Sequence, residues 1–442
     1  MAAPLLFLLL LLPLAASPVS SAAIRPAPKT GKFVTKELQL RRTINKSVKD
    51  YMEHRAQQGL GETGRPGQRK DGQQTGSAAG HSYSLFIFDL SVGTSSQTLP
   101  VIMDITTDLV WAQCEPCPSC STLSPPPTPS FLPQNSKSFA EVGCTTQTCQ
   151  RMSKHDCTRN DLCRRPGRGV WLQELDGVSG FAGFSRGPLS LVSQLNISSF
   201  TYFIAPPDDA AGKSFVSWSW GGGAAADDAT AVRTESTGHM GSSSTPLLAA
   251  TKTQNPYRYY VNLTGVQVDG QLLTAIQAGT FDAQSSGGVF LSTMLPVTYL
   301  VEAAYKVLRQ EVVSRVQSEG VTPVNASDGD LCFLTEHFDN AKVPTLALLF
   351  GGADAAMELK VENYFLDFGD GYTCLTILPS PHGLRGSVLG SQLQAGRTMT
   401  YEIHNDGSGT LKFETFKAAA AAPAPVKVPL MIMATLLLWA LL

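Results

Sequence analysis

The stretch VIMDITTDLVWAQCEPC runs from Val101 to Cys117. An apolar run ends on an acid, Asp104, and a cluster of cysteines follows at Cys114, Cys117 and Cys120. A carboxylate at the end of a buried apolar run costs desolvation energy unless hydrogen bonds or chemistry offset it. Asp104 therefore reads in one of two ways. It is a catalytic carboxylate or the relic of one, or it is a buried acid satisfied by backbone N–H groups of its loop.

The rest of the chain narrows the setting. Its 442 residues exceed one compact core and suit two lobes. The 34 basic and 36 acidic side chains nearly cancel, and no basic patch carries interleaved aromatics, so nucleic-acid binding is set aside. The N-terminus, MAAPLLFLLLLLPLAASPVSSAA, has the length and small-residue ending of a signal peptide, although it lacks a basic start. At the other end, small residues from Ala418 to Ala422, the spacer PAPVK and the apolar VPLMIMATLLLWALL form the pattern of a GPI-attachment signal. The ω-site is expected at Ala418, Ala419 or Ala420, and the rival readings are a tail-anchored helix or an apolar tail of no function. Four N-x-S/T sequons, at Asn45, Asn196, Asn262 and Asn325, suit a secreted glycoprotein. The nine cysteines then belong in an oxidising compartment, so disulfides are favoured over zinc for CEPCPSC. No metal or cofactor is called for.

From Tyr83 onward, short runs of Val, Ile, Leu, Phe and Tyr alternate with Gly, Pro and Ser turns, which is the texture of an all-β fold. One helix is clear at VEAAYKVLRQEVVSRVQSEG, where Val301, Tyr305, Leu308, Val312 and Val316 recur at spacings of three and four. Upstream, TKELQLRRTINKSVKDYMEHRAQQ has helix-forming composition, and the Gly-rich polar stretch after it reads as a linker. A faint repeat relates YSLFIFDLSVG (Tyr83–Gly93) to YVNLTGVQVDG (Tyr260–Gly270), each followed by an apolar strand, LPVIMDITT or GGVFLSTML. Two similar β-lobes follow from it.

These residues together resemble the pepsin-like aspartic proteases, in the plant nepenthesin-type branch. LSVGTSSQTLPVIMDITTDLVWAQCEPCPSC is similar to that family's first-lobe motif, in which a strand ends D-T-G-S-D and L-[VI]-W-x-Q-C-x-P-C follows. DGVSGFAGFSRGPLSLVSQL, the second-lobe opening STPLLAA…YYVNLTGVQVDG, GGVFLSTMLPVTYLVEAAYKVL and SVLGSQLQAGRTMTYEIHNDGSGTLKFE resemble further family segments. The match covers most of residues 83–416. The resemblance implies an all-β, bilobal pepsin-like fold with a few short helices. It divides the chain into a signal peptide (1–23), a pro-segment and disordered linker (24–80), a truncated N-terminal β-lobe (81–212), a C-terminal β-lobe (213–416) and a GPI-attachment signal (417–442).

The departures from the pattern bear on function. Two carboxylates sharing one proton carry the family's chemistry. Here Asp104 keeps the first position, but Ile105 and Thr106 replace the family's Thr and Gly, and Thr107 stands in for its Ser. Ser292 falls at the second Asp position, followed by Thr293, Met294, Leu295 and Pro296. Only RRPGRGVWLQEL separates Cys163 from Asp176, so the first lobe is expected to lack its flap. As far as the family's cysteine partners survive, short loops suggest Cys114 with Cys117, Cys144 with Cys163, and Cys149 with Cys157, while Cys332 and Cys374 link strands of the second lobe. Phe203 stands where one family cysteine is expected, and the chain-terminal cysteine it would bridge is missing too. The partner the resemblance implies for Cys120 lies in the missing flap region, which leaves Cys120 as a free thiol.

The expected protein is a secreted, GPI-anchored, monomeric glycoprotein on the outer face of the plasma membrane. It is a catalytically inactive pseudo-protease that binds a peptide or protein ligand, in line with non-proteolytic members of the fold that resemble inhibitors of cell-wall-degrading enzymes. The alternatives are an active aspartic-type endopeptidase with an atypical site, or a damaged gene product.

Overall fold

The computed structural model of the protein describes residues 34–43, 85–114, 129–152, 155–164, 178–206, 214–220, 240–325, 330–352, 355–367, 371–404 and 408–416. The expected signal peptide, most of the expected pro-segment and linker, Cys117, Cys120, Asn45, the stretch 165–177 where the flap is expected to be missing, and the expected GPI-attachment signal lie outside the described residues. No helix among the described residues is long and apolar enough to cross a membrane.

Strands dominate, and fifteen of them join in one sheet. From one edge it runs Val110–Ala112, Gly180–Gly183, Gln97–Asp104, Leu85–Val92, Val34–Thr43, Ser214–Trp220 and Ile197–Phe203. It continues through Thr398–Ile403, Gly409–Phe416, Met240–Leu248, Tyr260–Val261, Val289–Leu291, Ser387–Leu389 and Thr298–Leu300, with Ile377–Pro379 outermost. Apart from that outer strand, the order is a palindrome in which each strand of the first half has a counterpart in the second, taken in the same chain order. The faint sequence repeat is therefore a repeat of whole lobes. The halves meet where Ile197–Phe203 pairs antiparallel with Thr398–Ile403. There Phe200 stacks on Tyr401 at 4.6 Å, and the Thr201 and Thr400 hydroxyls hydrogen-bond at 2.8 Å.

Within each lobe the alternation of side chains explains which residues enter the core. In Gln97–Asp104, Val101 and Met103 face the main core with Phe86, Phe88 and Leu90 from the paired strand. The helix expected from periodicity spans Glu302–Ser318 and buries Ala304, Tyr305, Leu308, Val312 and Val316, while Val301 is its N-cap residue. Two smaller four-stranded sheets flank the second lobe.

Three sequence expectations change. TKELQLRRT is not helical; it lies within the strand Val34–Thr43, whose first seven residues pair antiparallel with Ser214–Trp220 and whose end pairs with Leu85–Ile87. Its counterpart in the second lobe is Met240–Leu248, so the strand is the first element of the lobe and part of the fold. The expected lobe boundary near 212 falls inside the hairpin of Ile197–Phe203 with Ser214–Trp220. The third change is in the disulfides. Cys332 and Cys374 are bonded cross-strand partners, as expected, but Cys144 pairs with Cys157 and Cys149 with Cys163. These bridges span separations of 13 and 14 residues. Loop length does not choose between the two connectivities. The choice comes from the short helix Gln147–Arg151, which buries Cys149 in a cluster with Leu109, Met152 and Leu189 against which Cys163 packs.

Cutting the chain ahead of Leu85 and losing the upstream strand would leave the edge of Ser214–Trp220 unpaired. Leu38→Pro, which removes one backbone donor from the middle of that strand, is expected to destabilise the protein by about 1–3 kcal/mol in chemical denaturation. An unchanged denaturation midpoint would show that the strand contributes nothing to the folded state.

Candidate functional site

The site lies where the two lobes present equivalent loops. In the first, Gln97–Asp104 runs parallel to Gly180–Gly183, and Asp104 is opposite Gly183. In the second, Val289–Leu291 runs parallel to Ser387–Leu389, so the next pair is Ser292 opposite Gly390. The third strand of each lobe, Val110–Ala112 or Thr298–Leu300, returns antiparallel on the far side. Both glycines are required by close approach. A Cβ on Gly183 would lie 2.5 Å from the Thr107 carbonyl oxygen, and one on Gly390 would lie 2.2 Å from that of Val297. These two contacts hold the loops after Asp104 and Ser292 against their sheets, and Ser292 thereby occupies the position equivalent to Asp104.

The lobes are tied across this point by Thr293. Its hydroxyl donates to the Met103 carbonyl at 3.1 Å and accepts the Ile105 N–H at 3.3 Å, so it grips the backbone on both sides of Asp104. Ile105, fully buried and without a hydroxyl, cannot return the bond. The brace therefore runs one way. From beneath, the buried Gln394 donates to the carbonyls of Ser292 at 3.0 Å, Leu389 at 2.8 Å and Gly390 at 3.1 Å. Tyr202 Oη donates to the Oε1 of the same Gln394. Gln394 and Tyr202 were not singled out from sequence. Tyr202 is a polar group inside apolar strand texture, whereas Gln394 ends the short helix Ser391–Gln394 and carries no local signal.

Asp104 is 2% exposed. Its Oδ1 accepts the Thr106 N–H at 2.7 Å and the Thr106 hydroxyl at 2.6 Å. Burial pushes its carboxyl above the ordinary range, while hydrogen bonds from Thr106 and Thr107 act in the opposite direction. Thr107 thus serves as the stand-in expected from sequence. Ser292 is equally buried, and its Oγ accepts the N–H groups of Met294 at 3.2 Å and Leu295 at 3.1 Å. The structure thus brings Asp104 and Ser292 to equivalent positions, each wrapped by its own loop. No group of three or more His, Cys, Asp or Glu among the described residues is placed to hold a metal ion. The sequons at Asn196 and Asn262 are exposed, and Asn325 ends the short strand Val324–Asn325.

This architecture matches known proteins. The family models described as Xylanase inhibitor N-terminal and Xylanase inhibitor C-terminal match residues 86–168 and 258–414. The chain is 31% identical over 356 residues to aspartic proteinase nepenthesin-1 of Nepenthes gracilis, covering 72% of this chain and 76% of that protein. The chain belongs to the pepsin-like aspartic proteases of plants, in the nepenthesin-type branch. Aspartyl protease family protein 2 of Arabidopsis thaliana is 27% identical over 358 residues, covering 72% of this chain and 69% of that protein. Among solved structures, edgp superposes with a TM-score of 0.58 at 13% identity, covering 86% of this chain and 94% of its own. Conglutin gamma from lupine seeds gives a TM-score of 0.57 at 13% identity, covering 86% and 95%. These two likenesses establish the fold.

Two measurements follow. Thr293→Val should orphan the Ile105 N–H and the Met103 C=O and cost about 1–3 kcal/mol for each buried group, whereas Thr293→Ser keeps the hydroxyl and should cost far less. Equal costs for the two variants would mean that the hydroxyl bridge is not what holds the loops. The second concerns pH. Because the Asp104 carboxyl is raised in the folded state, the folded protein holds this proton more tightly than the unfolded chain. Its contribution to stability is complete below the ordinary Asp range and is lost as pH rises through the raised value. Asp104→Asn should therefore gain stability relative to the native protein as pH increases through that window. A stability difference independent of pH would contradict the shift.

Proposed function

We propose that the protein is a catalytically inactive pseudo-protease that acts by binding a peptide or protein ligand. The observation that carries this reading is the pair at the loop ends, a capped Asp104 opposite a serine. In a working dyad, one carboxylate takes a proton from water while its protonated twin donates to the scissile carbonyl. The hydroxyl of Ser292 neither ionises at working pH nor shares a proton between two like acids. Loss of a positioned acid or base is worth about 10²–10⁴ in rate. The Thr106 hydroxyl adds to this, because together with the Thr106 N–H it occupies Asp104 Oδ1. Both matching family models carry the description xylanase inhibitor, and occupying another protein is a function that needs no dyad.

The expected outcome in a peptide-cleavage assay is no turnover above background from mildly acidic to neutral pH, in chains that retain the strand Val34–Thr43. Ser292→Asp alone should not restore activity, because Ile105, Thr106 and Met294 still occupy positions where the working site needs a hydroxyl and two glycines. Cleavage that is blocked by a statine-type transition-state mimic and abolished in Asp104→Ala would overturn the reading in favour of an active endopeptidase.

A further inference from the structure

Ile87, Ile102, Phe181 and Trp111 are successive cross-strand partners, so a single row of apolar side chains crosses four strands of the first lobe. Alternation puts this row on the face that carries Asp104, two residues beyond Ile102, while Val101, Met103 and Ile105 point into the main core on the other side. Ile87 and Ile102 are buried there together with Val178. Trp111 and Phe181 are half-buried and stack with their ring centres 5.3 Å apart. Among the described residues, the remaining side chain packed on this cluster is Met294, which comes from the other lobe.

Met294 does not reach that face by chance rotation of a loose loop. Its N–H is bound to Ser292 Oγ, and the preceding Thr293 is bound to the backbone on both sides of Asp104. The loop is thus fastened to the very strand whose apolar face the methionine covers. An unbranched, polarisable thioether fits an irregular space between an aromatic pair and branched aliphatics.

We propose that this row is an apolar side-chain site beside Asp104 and that Met294 is its built-in occupant, which closes the cleft to the apolar side chain of an extended peptide. The proposal rests on the pseudo-protease reading and deepens it, since it names both the ligand class that is shut out and the residue that does so. A site held by its own side chain binds a competitor only in the fraction of molecules where that side chain has left, so the apparent affinity falls by that fraction. Ligands of the intact protein would then engage surfaces outside this pocket.

The test uses the full chain and a fluorescein-labelled, end-capped hexapeptide with adjacent Leu and Phe, read by fluorescence anisotropy. Met294→Ala should bind the peptide at least about tenfold more tightly than the native protein, and Met294→Leu, which refills the space, should behave like the native protein. Should the Ala variant fail to melt cooperatively, Met294→Gln takes its place. It has similar length but a polar end that belongs in water, and the same gain is expected. Equal affinity in native protein and emptied variant, or no binding in any folded variant, would overturn the proposal. Peptide cleavage in the same samples is a separate readout. Turnover by the native protein would sink the pseudo-protease reading while leaving the affinity comparison to judge the occupant.

Discussion

A single side-chain hydroxyl holds the centre of this molecule together. Thr293 Oγ1 lies between the Met103 carbonyl and the Ile105 N–H, 190 and 188 residues away in sequence. Both are backbone groups in a buried region, where a donor or acceptor without a partner costs free energy comparable to a lost hydrogen bond. Satisfying them with one threonine fixes the second-lobe loop against the first-lobe strand. The placement of Ser292 relative to Asp104, and of Met294 against the cluster of Ile87, Ile102 and Val178, follows from that bridge. In a symmetric version the first lobe would supply a hydroxyl of its own, but Ile105 supplies a buried hydrocarbon instead, so the interface keeps half of a reciprocal arrangement.

Around this point the two lobes are built to the same plan. Each contributes a hairpin, a parallel strand ending in a glycine, and a returning third strand, and the central strands continue from one lobe into the other. Close approach at Gly183 and Gly390 holds each loop to its sheet, and aromatic stacking of Phe200 on Tyr401 fills the seam beneath. Val34–Thr43 completes the first copy of the plan. Without it the sheet would have an exposed edge between Ser214–Trp220 and Leu85–Val92.

The polar groups under the site are matched to rigid support. Gln394 spends its amide hydrogens on three carbonyls and its oxygen on Tyr202, so the loop carrying Ser292 is fixed from below as well as from the side. Asp104 is wrapped by Thr106 and Thr107. Met294 packs against the apolar cluster on the same face.

Much of this was legible in the chain. Strand texture from Tyr83 onward, the repeat, the helix Glu302–Ser318 and the position of Ser292 were all readable, because side-chain period and local motif are properties of neighbouring residues. The buried acid at Asp104 was readable for the same reason. The remainder depended on partners far away in sequence. TKELQLRRT reads as helix-forming in isolation and becomes a strand because Ser214–Trp220 offers it an edge, which is the dependence on context expected of β-structure. The pairing of Cys149 with Cys163 depended on where a five-residue helix docks. Most of all, the sequence determined which residues stand at the loop ends, but only the tertiary structure decided what each touches. The Thr293 bridge and the packing of Met294 on the cluster of Ile87, Ile102 and Val178 join groups far apart in sequence, and no local pattern encodes contacts of that range.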